Sequence, residues 1–101
     1  MELQFDGFIW DKGNYDKNLL KHNVERLECE QVFDARHFLT YKDVVHSHAE
    51  DRYVIIGPCE SQRLLFIVFT IRNYYIRVIS ARDADHRERS MYEKTSNTSR
   101  L

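Results

Sequence analysis

Three features of this chain predict an α+β domain, a small antiparallel β-sheet with a helical hairpin and a C-terminal helix packed on it. The first is the pair of β-branched and aromatic runs, Leu64–Arg72 and Ile76–Arg82, separated by Asn73-Tyr74-Tyr75, which reads as a β-hairpin. The second is the apolar spacing between Tyr15 and Phe33, which suits two helices joined by a tight turn at Asn23. The third is Asp85 with Glu88, the spacing of a capping box that opens a last helix.

In chain order, Leu3 to Trp10 reads as a short strand, with Gly7 allowing a bulge or bend and a turn near Trp10-Asp11. Asp11 is placed to cap a helix running from Lys12 or Asn14 to His22, since its carboxylate can accept from first-turn N–H groups. A second helix spans about Glu25 to Phe33, burying Leu27, Cys29, Val32 and Phe33. Phe38, Leu39 and Tyr41 form a strand, Val44 to Arg52 a polar loop, and Tyr53 to Gly57 the next strand. Pro58 to Gln62 turns the chain into Leu64–Thr70, which is apolar on both faces and is expected to be the most buried strand. Residues 1–94 make one domain, and 95–101 a frayed polar tail.

The composition, 43% hydrophobic with a single proline in 101 residues, excludes wholesale disorder and allows one modest core. No run approaches the ~20 apolar residues that a membrane span needs, and the N-terminus lacks the features of a signal peptide. Cys29 and Cys59 lack metal spacing and read as packed thiols of a cytoplasmic protein. The formal net charge of −1 conceals an acidic first third and an arginine-rich last third. Such a chain can carry one basic, nucleic-acid-binding face, or its two halves can neutralise each other.

Four blocks of sequence resemble the BrnT-type toxins, the ribonuclease half of bacterial type II toxin–antitoxin pairs. They are Phe8-Ile9-Trp10-Asp11 with Asn14 and Asn18; Lys21-His22-Asn23-Val24 with Val32-Phe33-Asp34; His46-Ser47 with Glu50-Asp51-Arg52 and Ile56-Gly57; and Arg63-Leu64-Leu65, Thr70, Arg72, Arg77-Val78-Ile79-Ser80-Ala81-Arg82 and Arg87-Glu88-Arg89 with Tyr92. Asn23 stands where the family usually has glycine, Glu25 where serine or threonine is frequent, and Ala35 and Gln62 where proline and glycine are common. These departures touch turns and caps. The resemblance implies a RelE-like fold and cleavage of RNA without an evident metal or other cofactor. It also implies a BrnA-like ribbon-helix-helix antitoxin, with DNA contacted only through the toxin–antitoxin complex.

RNA supplies its own nucleophile, the 2′-hydroxyl, so cleavage needs a proton acceptor, a proton donor and positive charge around the phosphate. Lys21, His22, Arg52, Arg72, Arg77 and Arg82 are the candidate catalytic residues. His22 titrates near neutrality but equally suits a histidine packed at a helix end. In a regular strand Arg77 and Arg82 project from opposite faces, and only a bulge or strand end near Ala81 brings them together. Each arginine has an alternative use in a salt bridge to the acidic helices. His46, Tyr74 and Tyr75 are candidate RNA contacts, and Arg87, Arg89 and Met91 candidate antitoxin contacts, with Tyr92 equally suited to packing on the sheet. The leading expectation is a metal-independent endoribonuclease toxin that works by general acid–base catalysis and inhibits growth. The alternative is a non-catalytic module that binds nucleic acid or protein through the same face.

Overall fold

The computed structural model describes residues 4–14 and 21–98, with side chains to residue 95. Its elements are β1 (Gly7–Ile9), α1 (Arg26–Phe33), β2 (Leu39–Lys42), β3 (Tyr53–Pro58), β4 (Leu64–Arg72), β5 (Tyr75–Asp83) and α2 (His86–Thr98). They form one five-stranded sheet in the order β1-β5-β4-β3-β2. Neighbours among β2 to β5 are antiparallel. The expected wholly antiparallel sheet is corrected at one edge, because β1 runs parallel to β5, pairing Gly7 with Tyr75 and Ile9 with Arg77. A three-residue strand whose partner lies almost seventy positions away leaves no hairpin signal to read.

The first helix of the expected hairpin falls largely on residues 15–20, outside the described residues; Lys12 to Asn14 form a turn, and Lys21 and His22 are helical. Asn23 then takes the left-handed conformation (φ 54°) that ends this segment. At the start of α1, the Glu28 carboxylate accepts from the Glu25 N–H at 3.0 Å, satisfying one orphan donor. The capping box at α2 is complete: Glu88 N–H donates to Asp85 Oδ1 at 2.8 Å and Asp85 N–H to Glu88 Oε1 at 2.9 Å. α2 continues to Thr98, beyond the expected boundary at Lys94. Among the described residues, no helix is long and apolar enough to cross a membrane.

β4 is the central strand, and each of its faces is covered by a different helix. Leu65, Ile67 and Phe69, all 0% exposed, face α1 through Cys29, Val32 and Phe33. The Phe33 ring meets Phe5, Phe8 and Phe69 edge-on, with centroids 5.8, 5.3 and 5.0 Å away. α1 sits so close that a Cβ on Gly57 would lie 3.0 Å from Val32. On the other face, Leu64, Val54 and Ile56 pack with Leu39, Tyr41, Phe66, Val68 and the Tyr92 ring of α2. The β4–β5 loop is a two-residue turn with Asn73 and Tyr74 both left-handed (φ 51° and 69°), which matches the twist of a hairpin but costs a side chain such as tyrosine about 1 kcal/mol or more.

Candidate nucleic-acid interface

β5 does not alternate evenly. Phe69 pairs with Val78 but Val68 pairs with Ser80, so Ile79 is an extra residue opposite nothing. Because side chains alternate with period two, that one residue changes the parity of everything beyond it. Arg72 opposite Tyr75, Thr70 opposite Arg77, and Phe66 opposite Arg82 therefore share one face. The bulge that a common face requires is present. Arg72 and Arg77 are diagonal neighbours with Cα atoms about 7–8 Å apart, and Arg82 lies roughly 13 Å farther along β5.

Each of these guanidiniums holds a carboxylate in bidentate fashion. Arg77 donates to Asp11 at 2.7 and 3.3 Å, Arg72 to Glu50 at 3.0 and 3.2 Å, and Arg82 to Glu88 at 2.7 and 2.8 Å. Arg82 also lies 4.2 Å above the Phe66 ring, locked between sheet and α2. The Arg77 hydrogen bond and charge, with the Gly13 and Asn14 N–H groups, hold the Asp11 carboxyl below the ordinary carboxylate range. Glu50 is lowered by its hydrogen bond from Arg72, then by the charges of Arg72, Arg52 and Arg77. Arg72, Arg77 and Arg52 thus converge on one pair of exposed carboxylates. Among the described residues no carboxylate lies within salt-bridge distance of Arg52.

The loop between β2 and β3 borders this group. Thr70 Oγ1 donates to the Asp51 carbonyl at 2.8 Å, tying the loop to the arginine face of β4. A hollow of about 200 Å³ is lined by His46, His48, Ala49, Glu50 and Arg52. His46 Nδ1 lies 2.8 Å from Asp43 Oδ2. An ionised carboxylate only accepts, so in this pair Nδ1 is the donor. His48 carried no sequence signal, and Asp11, expected to cap a helix, and Glu50, a candidate partner of Arg52, instead hold Arg77 and Arg72. The bulge had a signal: apolar residues at 76, 78, 79 and 81 alternate and then slip by one.

Lys21 and His22 occupy a different place. The His22 carbonyl accepts from Arg63 Nη2 at 3.4 Å, and the His22 ring bears electrostatically on Asp83. Arg63 also donates to Asp83 at 2.8 Å, to the Asn23 carbonyl at 2.8 Å and to Glu28 at 3.2 Å. Burial alone would raise the Glu28 carboxyl, yet the Ser61 hydroxyl, the Glu25 N–H and Arg63 take it below its usual value. Asp83 pairs with Leu65, on the α1 face, and lies the length of the β4–β5 ladder, about 23 Å, from the Arg72 end. The fold therefore groups Arg52, Arg72 and Arg77, sets Arg82 apart under α2, and puts His22, next to Lys21 in the chain, with Arg63.

On α2, Arg87, Arg89 and Met91 are exposed, whereas Tyr92 packs on the sheet and its hydroxyl donates to the His37 carbonyl at 3.1 Å. Tyr74 and Tyr75 stand exposed at the hairpin tip. Among the described residues, no group of three or more His, Cys, Asp or Glu is arranged to hold a metal ion.

Comparison with curated proteins gives no match. A family model described as the ribonuclease toxin BrnT of type II toxin–antitoxin systems matches residues 10–88, from the strand end before Asp11 to the Glu88 that holds Arg82. With most of the sequence matched, including every arginine of the sheet face, the chain belongs to the BrnT family of ribonuclease toxins of type II toxin–antitoxin systems.

Proposed function

We propose that the chain is the toxin of such a system and cleaves RNA without a metal, by general acid–base catalysis on the arginine face beside loop 43–52. The family carries ribonuclease activity, an RNA target and an antitoxin partner; the chemistry and its location are our reading. The observation that carries it is the Ile79 bulge, which aligns Arg72, Arg77 and Arg82. Arg72 and Arg77, with Arg52 beside them, would take the scissile phosphate in exchange for Asp11 and Glu50 and stabilise the charge of the pentacoordinate transition state. The 2′-hydroxyl gives up its proton, its oxygen attacks phosphorus, and the departing 5′ oxygen is reprotonated, leaving a 2′,3′-cyclic phosphate. His46, oriented by Asp43, and His48 are better placed beside Arg52 than His22 to move those protons. His22, with Lys21 before it in the chain, then belongs with Arg63, Glu28 and Asp83, and Arg82 binds phosphate farther along the strand.

The same reading includes the RelE-like relationship, growth inhibition in the cytoplasm, and a BrnA-like antitoxin that supplies the DNA contacts of the complex. Docking on α2 through Arg87, Arg89 and Met91 would place that antitoxin beside the arginine face. The deciding experiment is a cleavage assay on purified toxin with EDTA present. Cleavage that persists in chelator, and is lost in Arg77→Ala but retained in His22→Ala, supports the reading. RNA binding with no cleavage would favour a non-catalytic binding module, for which the pairing of each arginine with an internal carboxylate already provides a structural basis. For the antitoxin, Arg87→Glu with Arg89→Glu is expected to weaken co-purification, and unchanged affinity would remove α2 as the docking site.

A further inference from the structure

The hairpin tip carries two aromatic rings that the core does not use. Tyr74 is 70% exposed and Tyr75 41% exposed. Tyr74 also occupies a left-handed position (φ 69°) where glycine is the comfortable residue, so the fold carries local strain there with no burial to offset it. Tyr75 is the direct cross-strand partner of Arg72 and lies two residues before Arg77, on the arginine face. Its neighbour there is Gly7 of β1: a Cβ on Gly7 would stand 3.2 Å from Tyr75 Cε2. The missing side chain lets the ring settle against the strand backbone while 41% of the residue stays exposed. Beyond the tip, Tyr74 borders a hollow of about 520 Å³ with Gln4, Phe5 and Asp6, where an amide and a carboxylate offer donors and acceptors.

We propose that Tyr75, floored by Gly7, is a stacking platform for an unpaired base of single-stranded RNA, next to the phosphate held by Arg72 and Arg77, with Tyr74 receiving the adjacent base. This rests on the ribonuclease reading for the identity of the ligand, and adds to it a preference for unpaired nucleotides. A paired base cannot present its flat face to a tyrosine, whereas an unpaired one can. The site would be sequence-tolerant, because every base has a π-face, with any preference arising at Gln4 and Asp6.

The test is binding of a 2′-O-methyl RNA decamer, which lacks the nucleophile and stays intact. It is measured single-stranded, as a duplex, and with one abasic position, for wild type, Tyr75→Phe, Tyr75→Ala and Tyr74→Ala, with melting curves on each variant. Wild type is expected to prefer the single strand. Tyr75→Ala should lose about tenfold or more of that affinity, Tyr75→Phe should keep it, and duplex binding should not change. The abasic decamer should lose affinity for wild type but not for Tyr75→Ala. Equal affinities of wild type and Tyr75→Ala, equal losses on single strand and duplex, or no single-strand binding by wild type would each overturn the platform. A wild type that never cleaves RNA but shows this single-strand discrimination would overturn the ribonuclease reading and leave the platform standing.

Discussion

Arg63 and Arg77 are both arginines paired with carboxylates, and they are built for opposite purposes. Arg63 reaches two carboxylates on different elements, Glu28 of α1 and Asp83 of β5, and also two backbone carbonyls, with its side chain 24% exposed. Its acceptors are fixed by the chain, so its bonds close the fold. Among the described residues Arg77, its side chain 19% exposed, has one carboxylate partner, and that partner, Asp11, is 53% exposed on the loop after β1. Water and anions reach it, so another oxyanion can compete for the guanidinium. The number of backbone acceptors and of elements joined distinguishes a structural arginine from one available to a ligand; exposure of a partner does not, since Asp83 is 65% exposed.

The two arginines should differ most in their effect on activity. Arg77→Ala should reduce RNA cleavage by about a hundredfold or more and leave the melting temperature within a few degrees, read in parallel by product formation and calorimetry. A large melting shift with normal turnover would reverse the roles. Arg63→Ala should do the converse, costing about 2 kcal/mol because Glu28 loses its charged partner in a half-covered site, or about 8–16 °C in melting temperature for a chain of this size. Residual activity per folded molecule should stay near wild type.

Acid sharpens the contrast. Asp83 is lowered first by its hydrogen bond from Arg63, and Glu28 is lowered in the same clasp, from ordinary values of 3.8 and 4.5. A depressed folded-state carboxyl contributes stability that is present above its unfolded value and lost as pH falls through the folded one. Stability should therefore hold down to about pH 4.5 and fall below it, and Arg63→Ala should flatten that fall in a pH series of denaturant melts. The smallest effect is expected from Asp11→Asn with Glu50→Gln, which should raise affinity for single-stranded RNA a few-fold at low salt by removing the competitors of Arg77 and Arg72. Unchanged binding would mean that these arginines are not the phosphate contacts.

What could be read from the sequence was local. Asp85 and Glu88 announce α2 because a capping box needs only four residues, and Asn23 announces a left-handed stop by its own side chain. Leu64–Thr70 announces the central strand because burial on both faces leaves a continuous apolar run. The partners of the arginines could not be read in the same way. Asp11 and Arg77 are 66 positions apart, and their meeting depends on the parallel β1–β5 pair that no short pattern encodes. The separation of His22 from Arg72 likewise follows from the length of β5, not from either residue's neighbours.

Ile79 acts in β5 as a shift of reading frame does in a message. Before it, odd-numbered residues face the arginine side; after it, even-numbered ones do. Deleting Ile79 would join Val78 directly to Ser80 and leave an even alternation in which Tyr75, Arg77, Ser80 and Arg82 keep the arginine face and Ile76, Val78 and Ala81 stay buried. A substitution at 79 that preserves chain length keeps the frame. What the residue contributes is the local bend and twist of the bulge, so loss of one residue should be tolerated at Ile79 and not in an evenly paired strand, where deleting Ile55 of β3, 0% exposed, would reverse every face beyond it.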